Sequence, residues 1–562
     1  MHVYEAMADA FVRQGTTIVF ALMGDGNKLW LHHISRRPEV DTIHVRHEGA
    51  ALAMADGHAR TSGFVGICSV TYATGVTQLA TSLGVAAKAR TPIVIMAADT
   101  PTLEGGMGGH RDIDTRALVR ATGALVHEVR QAHTAVDDVH IAFHRARAEM
   151  LPVVLLCRAD ILEAALPTVA DAHPDPGRQW RQGEGVRPDP HALARAADLI
   201  SLSDRCVVLL GRGAKHSSAE EAARALADAC GAVVATTLPA KGLLDGYPYS
   251  VGIAGTYSLP MARQLLSQSD CVIALGASLN SHTLAHGGLF GDSTFIQVDT
   301  TGHALMAEGR VADCYLHGDA SATAAALAEV VKPSRRWQDD GLLARLSTDQ
   351  RRLEMEAQPA RVPTGTLDPR ELMLRLDGYL PKTGVFIVGA GHFTSFPVMY
   401  LSNPQRRDFH TILDFATIGQ ALPTAIGASH SGSDEPVIAF EGDASIMMHI
   451  QEMETAARYG VPLLLFVMND GLLGAEYHKL RELGLSPSDV ELPTADLVDL
   501  ACTFGWRARR LTALDDVATV VKWFDPDLGP HLVDCSIART VVGPMSHRVD
   551  GGKGRLPRSG FN

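Results

Sequence analysis

Residues 441–476 read EGDASIMMHIQEMETAARYGVPLLLFVMNDGLLGAE, and this stretch decides the fold. An apolar run, Val437 to Phe440, ends in Gly442-Asp443-Ala444-Ser445, and a helical pattern then runs to Tyr459. After Gly460-Val461-Pro462 a second apolar run, Leu463 to Met468, delivers Asn469-Asp470-Gly471. Strand, helix and strand in that order make a βαβ unit with parallel strands. Asp443 and Asp470, 27 residues apart, therefore stand at the carboxyl ends of two strands of one sheet. Open α/β sheets bind ligands at that edge. Gly442 permits close backbone approach, the helix N-terminus after Ser445 offers N–H groups to phosphate, and paired carboxylates suit a hard cation such as Mg²⁺. A lone GDxS reads as a strand-end turn with a helix cap. The second acid at βαβ distance favours a site for a diphosphate and Mg²⁺.

The same βα alternation runs through the rest of the chain. Residues 1–166 carry apolar strands near Ile18–Leu22, Thr42–Val45, Val65–Val70, Pro92–Ala97 and Pro152–Cys157, with helical segments between them. Pro167 to Pro190 is rich in Pro, Gly and charge and reads as a linker. A second α/β unit, residues 190–331, follows with strands near Cys206–Leu210, Ala232–Thr236, Cys271–Leu275 and Thr294–Val298. Gly211-Arg212-Gly213 after its first strand is a GxG without the rest of a dinucleotide fingerprint and reads as a structural turn. A charged hinge leads to a third unit, residues 367–545, which holds the opening stretch. Residues 546–562 form a Gly-rich, basic tail, read as a disordered end. The fold class is α/β with three domains and parallel sheets.

Composition narrows the function classes. The 562 residues are 46% hydrophobic and 20% charged, ample for buried cores. The net charge of −13 comes from 50 basic and 63 acidic residues, and the basic ones are scattered, which argues against nucleic acid as a main partner. Eight cysteines show no CxxC pair and read as small buried residues of a reducing compartment. The N-terminus reads as an amphipathic helix rather than a signal peptide, and no apolar run reaches membrane-spanning length. A cytoplasmic protein without a membrane partner is the expectation.

Four motifs now resemble one family. GDAS…MND resembles the signature of thiamine diphosphate (ThDP) enzymes of the acetolactate synthase and pyruvate decarboxylase family, RHEGAALAMADGHART resembles its segment with the cofactor-activating glutamate, and FATIGQALPTAIGA resembles its aminopyrimidine loop. The pattern GRGA…TTLPAKG…GIAG…SDCVIALGASL…VDTT is similar to its central domain. The resemblance spans roughly residues 1–545. It implies two ThDP-binding-type domains, an aminopyrimidine-binding (PYR) domain at residues 1–166 and a diphosphate-binding (PP) domain at 367–545, flanking a Rossmann-like central domain at 190–331.

The resemblance also implies roles. Glu48 would bond the aminopyrimidine ring of the cofactor, and the Ala-rich run after it supplies the shelter such a proton-sharing carboxyl needs. Ile418 would wedge beneath the cofactor, with the backbone of Ala416 and Ile418 at the pyrimidine edge. Asp443, Asp470 and the Leu472 carbonyl would hold Mg²⁺, with Gly442, Ala444, Ser445, Gly391 and His392 at the phosphates. Two positions depart from the pattern: Ala444 stands for the usual Gly, and Asp470 for the usual Asn. FAD, which acetolactate synthases bind in the central domain, is not assigned by Gly211–Gly213.

The pocket residues are mixed. Asp25 in MGDGN and Glu476 in NDGLLGAE match acids of the simple decarboxylases, whereas His110 aligns with a glutamine of acetolactate synthases. Two acids near an anionic substrate can stay partly protonated and supply a proton. The expected activity is decarboxylation of a 2-oxo acid with carboligation to a carbonyl acceptor, resembling acetolactate synthase. The alternatives are a decarboxylase releasing an aldehyde and a catalytically silent ThDP- or FAD-binding homologue. The family implies a homodimer or homotetramer with active sites at the subunit interface, Glu48 of one chain facing Asp443 of the other.

Overall fold

The computed structural model describes residues 1–105, 107, 109–166, 185–301, 306, 309–332, 337–403, 406–492 and 495–543. The tail 546–562 and most of the Pro167–Pro190 linker lie outside the described residues. Three six-stranded sheets are present, and the strand pairs that build them are parallel.

The first sheet contains β1 (Ile18–Ala21), β2 (Asp41–His44), β3 (Gly66–Val70), β4 (Ile93–Asp99), β5 (Leu125–Val129) and β6 (Pro152–Arg158), in the order β2-β1-β3-β4-β6-β5. The central sheet contains β7 (Cys206–Leu210), β8 (Val233–Thr236), β9 (Ser250–Ile253), β10 (Cys271–Leu275), β11 (Thr294–Asp299) and β12 (Cys314–His317), in the order β12-β11-β10-β7-β8-β9. Counted from its own first strand this is 3-2-1-4-5-6, the doubly wound dinucleotide-fold order. The third sheet contains β13 (Thr383–Val388), β14 (Arg406–Thr411), β15 (Val437–Gly442), β16 (Leu463–Asn469), β17 (Arg507–Leu511) and β18 (His531–Ser536), in the order β14-β13-β15-β16-β18-β17. That repeats the order of the first sheet strand for strand. The architecture is two like domains flanking a Rossmann-like one, as expected.

Continuous apolar runs become the central strands. β4, β7, β10 and β15 are buried along their whole length, as parallel sheets covered on both faces require. Edge strands escape sequence reading because they are short or polar: β17, RARRL, is mostly exposed, and β5, LVHEV, is half-buried.

The two like domains meet through matching helices. Each follows the second strand of its sheet: Glu48–Ser62 after β2 and Ala421–Ala428 after β14. They pack so closely that a methyl on Gly57 would strike the Thr424 carbonyl, and one on Gly427 the Met54 carbonyl. Apolar residues of both domains, such as Met54, Leu52, Leu422 and Ile426, form one continuous core. This contact sets the turn before Glu48 against the third domain.

One expectation needs correction. The helical pattern to Tyr459 is not one helix: it breaks into Asp443–Ile446, a 3₁₀ turn at Met447–His449, and Glu452–Arg458. The first helix opens at Asp443, with Gly442 as its cap, so Ser445 lies inside it rather than ahead of it. The break coincides with His449, whose Nδ1 bonds the Gly419 carbonyl at 2.8 Å instead of facing along a helix.

Candidate active site

Strands β15 and β16 are neighbours, with Gly442 opposite Met468 in register. This places Asp443 and Asp470 side by side just past the strand ends. Asp443 is buried, and its Oδ2 accepts the Gly471 N–H at 3.0 Å. Asp470 Oδ1 accepts the Leu472 N–H at 3.1 Å, and its side chain is 7% exposed. Burial pushes the Asp443 carboxyl up to about 6. Burial, then the charge of Asp443, pushes Asp470 up to about 7. Two acids in one sheltered place resist ionising together.

His392 lies beside them, its Nδ1 4.0 Å from Asp470 Oδ2. Its Nε2 accepts the Gly543 N–H at 2.7 Å, which puts the ring proton of the neutral imidazole on Nδ1, facing the acids. The His478 ring packs on it at 4.3 Å between centroids. Gly391 has φ +153°, and a methyl there would press on the Phe393 ring. Among the described residues no group of three or more His, Cys, Asp or Glu side chains is arranged to hold a metal. Two carboxylates alone leave most of an octahedral shell to carbonyl, water and ligand oxygens.

A buried carboxylate that the sequence reading passed over supports this edge. Glu441, the penultimate residue of β15, is fully buried. Its Oε2 accepts the N–H groups of Ala421 at 2.9 Å and Leu422 at 3.3 Å, and its Oε1 accepts the Ser445 hydroxyl at 2.6 Å. Ser445 Oγ in turn accepts the Gly419 N–H at 2.6 Å. The Ser445 side chain therefore pins the loop that carries Ile418. In that loop Ala416 has φ +54°, a conformation disfavoured for an alanine and held by its surroundings. Ile418 is half-buried, and Phe415 is 51% exposed. A Glu continuing an apolar strand was the signal for Glu441.

In the first domain, His47 caps the helix that begins at Glu48, its Nδ1 accepting the Gly49 N–H at 3.0 Å. Glu48 is half-buried, and its charge reaches the buried Cys68 on β3. The turn before it is anchored to the third domain. The buried Glu452 accepts the Arg46 N–H, and the His47 and His449 rings meet edge to face at 5.6 Å. Among the described residues Glu48 makes no hydrogen bond or ion pair with Asp443, Asp470 or Ile418.

The other pocket candidates sit in exposed charge pairs. Asp25 is 52% exposed and bonds Lys28 at 2.5 Å and Arg111 at 2.9 Å. Those two cations, Lys28 foremost, hold its carboxyl below the ordinary range. The Arg111 guanidinium also lies 4.9 Å over the Tyr72 ring. Glu476, 54% exposed, lies 3.7 Å from Lys479. His110 is exposed beside Arg111. In the single chain both carboxylates face cations and water.

Models for three domains of thiamine pyrophosphate enzymes match the chain: the N-terminal TPP binding domain over residues 1–118, the central domain over 193–327 and the C-terminal TPP binding domain over 389–535. The chain belongs to the thiamine pyrophosphate enzyme family. As a thiamine pyrophosphate enzyme it is 26% identical, over 96% of its own length and 93% of the relative's, to a probable acetolactate synthase large subunit of Methanocaldococcus jannaschii. It is 28% identical to a sulfoacetaldehyde acetyltransferase of Alcaligenes xylosoxydans xylosoxydans, covering 84% and 81% of the two chains. An acetolactate synthase large subunit of Parasynechococcus marenigrum is 26% identical over 90% and 83%.

The donor chemistry fits this family's cofactor and cation. Carboxylate oxygens suit a hard cation such as Mg²⁺, and two of them stand together here at the ends of adjacent strands. Asp443, Asp470 and the Leu472 carbonyl can hold the ion, with Gly391, His392, Gly442 and Ala444 around the diphosphate. FAD fits less well. A cavity of about 1080 Å³ lies where the central domain meets the other two, lined by Arg212, Gly213, Gly276, Asp299, Arg60 and Arg147. Yet Gly211 donates to the Leu275 carbonyl at 2.8 Å and Gly213 to the Gly276 carbonyl at 3.0 Å, so the turn locks β7 to β10. Arg212 bonds Asp414 and the Lys88 carbonyl. The Gly211 and Gly213 N–H groups are thus taken by the sheet, and the turn does not assign FAD. All eight cysteines are unpaired, and no helix among the described residues is long and apolar enough to cross a membrane.

Proposed function

We propose that this thiamine pyrophosphate enzyme binds ThDP with Mg²⁺ and cleaves and forms C–C bonds on 2-oxo acids, passing the acyl unit to a carbonyl acceptor as acetolactate synthases do. The observation that carries the reading is the buried Asp443–Asp470 pair at the ends of adjacent strands, in a chain that keeps Glu48 at the start of a sheltered helix. When bound, the cofactor supplies a nucleophilic thiazolium carbon that attacks carbonyl groups and stores the resulting electron pair.

This chain's residues do the rest. Asp443 and Asp470 fix the cation that neutralises the diphosphate. Glu441, through Ser445 and the Gly419 N–H, holds the Ile418 loop in a shape that presents a bulky side chain beneath the cofactor. Glu48 exchanges a proton with the aminopyrimidine. Lys28 and Arg111 attract anionic substrates to the edge of the first sheet, and His110 lies at the same edge.

Transfer to an acceptor is favoured over simple aldehyde release by the state of Asp25. Held ionised by Lys28 and Arg111, it is a poor donor of the proton that aldehyde release places on carbon, whereas ligation forms a C–C bond at that carbon and takes its proton on the acceptor's oxygen. The two kinds of relative, acetolactate synthase and sulfoacetaldehyde acetyltransferase, agree with transfer to an acceptor. The site is completed by a second copy of the chain, Glu48 of one facing Asp443 of the other, in a homodimer or homotetramer. Calorimetry tests the cofactor reading: ThDP binding that requires Mg²⁺ supports it, and no binding at millimolar ThDP overturns it.

A further inference from the structure

The loop that carries Ile418 is held at both ends. At its far end Ser445 and His449 take the Gly419 N–H and carbonyl, and the Ser82 hydroxyl of the first domain meets Gln420 Oε1 at 3.1 Å. At its near end stands Asp414, whose side chain is 11% exposed. The Leu413 carbonyl accepts the Ala416 N–H at 3.0 Å, so Asp414 and Phe415 form the centre of a tight turn that feeds Ala416. The Asp414 carboxylate is gripped from two other domains. Its Oδ2 accepts from Arg60 Nη1 at 3.2 Å, in the last turn of the helix that begins at Glu48. Its Oδ1 accepts from Arg212 Nη2 at 3.0 Å, in the central domain.

Both guanidinium groups are themselves fixed. Arg60 bonds both oxygens of the buried Asp56 at 2.9 Å, and Arg212 donates to the Lys88 carbonyl at 2.9 Å. The neighbouring Phe415 ring lies against Gly84 of the first domain, so close that a methyl there would strike it. Two residues beyond Asp414, Ala416 holds φ +54°, which an alanine keeps only where its surroundings over-determine it. A carboxylate with a fixed donor on each oxygen supplies that constraint. An amide at 414 would keep the size but turn one acceptor into a donor facing a guanidinium.

We propose that Asp414 is a positioning residue for cofactor binding: gripped by Arg60 and Arg212, it holds Ala416 and Ile418 in the shape that receives ThDP. The first and central domains thereby set cofactor affinity from outside the site. This rests on the reading that the loop contacts the cofactor.

Amide hydrogen exchange on the cofactor-free, full-length protein and calorimetry with ThDP and Mg²⁺ read the two halves of the proposal. Asp414→Asn should speed exchange over residues 413–420 by about 10-fold or more and weaken ThDP binding by about 10-fold or more, the scale of one charge-assisted hydrogen bond. Adding Ala416→Gly to Asp414→Asn should recover most of the lost affinity, because glycine takes positive φ without strain. A general loss of structure would not be recovered that way. If Asp414→Asn does not fold, Arg212→Ala, which removes the central domain's grip and leaves Arg60 paired with Asp56, is read in the same manner. Unchanged exchange and affinity, or a loss of affinity that Ala416→Gly does not recover, would overturn the inference. If the wild type binds no ThDP, the proposed function fails, while the exchange rates still decide whether Asp414 holds the loop.

Discussion

The backbone N–H of Arg46 donates to both carboxylate oxygens of Glu452, at 3.1 and 3.3 Å. Glu452 is fully buried in the third domain, and Arg46 opens the turn that presents Glu48 in the first. A carboxyl group from one domain thus fixes the turn before Glu48 in the other, aided by Thr455, whose hydroxyl donates to Glu452 at 2.7 Å. Glu452→Ala leaves both donors without that acceptor, and a loss of about 1–3 kcal/mol is expected in urea unfolding.

The same residue gives a pH signature. Burial raises its carboxyl from 4.5 to about 7, so the native state holds a proton that the unfolded state has released. Stability therefore falls as pH rises between 4.5 and about 7, and Glu452 contributes its full share only below that window. In cofactor- and metal-free protein, Glu452→Gln should flatten this slope relative to the wild type, measured by urea midpoints across the window. An unchanged slope would show that Glu452 titrates normally.

Glu48→Gln keeps the size of the side chain and removes its proton exchange. Turnover should fall by about 10²–10⁴-fold, the range for a lost acid–base group, while ThDP affinity stays within a few-fold. Steady-state CO₂ release and calorimetry read the two effects separately.

Much of this was legible in the chain before its structure. Strands buried on both faces must be apolar throughout, so β4, β7, β10, β15 and β16 stand out, and with them the two acids, Asp443 and Asp470, that the structure brings together just past the ends of β15 and β16. Edge strands β5 and β17 do not stand out, because half-exposed strands carry the same polar residues as loops. The Asp443–Arg458 segment looks like one helix because its composition is helical; the break comes from a distant partner, the Gly419 carbonyl that captures His449. Glu441 and Glu452 were missed because their partners, Ala421, Ser445 and Arg46, are backbone or small hydroxyl groups brought together only by folding. Of the two cations on Asp25, Lys28 is a local i,i+3 partner, whereas Arg111 lies 86 positions away and is brought to it only by folding.

Gly427→Ala probes the helix contact that joins the like domains. Its methyl would collide with the Met54 carbonyl, and backbone cannot move aside as a side chain can. A destabilisation of about 1–3 kcal/mol or more is expected in urea unfolding. A neutral substitution would show that the two domains pack less closely than described.

Asp25→Asn separates two roles for that acid. As an ionised partner of Lys28 and Arg111 it should change kcat by less than about 10-fold, below the effect of losing a general acid, and act mainly on the KM for an anionic substrate. A larger loss of kcat, with one limb of the pH–rate profile removed, would make Asp25 a proton donor instead.

The central claim is tested most directly by supplying the protein with ThDP, Mg²⁺ and a panel of 2-oxo acids beginning with pyruvate, with and without an aldehyde acceptor, and measuring CO₂ together with product mass. The account predicts CO₂ release with a C–C-coupled product, acetolactate or a hydroxyketone, and loss of both in Glu48→Gln. Free aldehyde alone would contradict the transfer reading, and bound ThDP with no CO₂ from any 2-oxo acid would contradict the activity altogether.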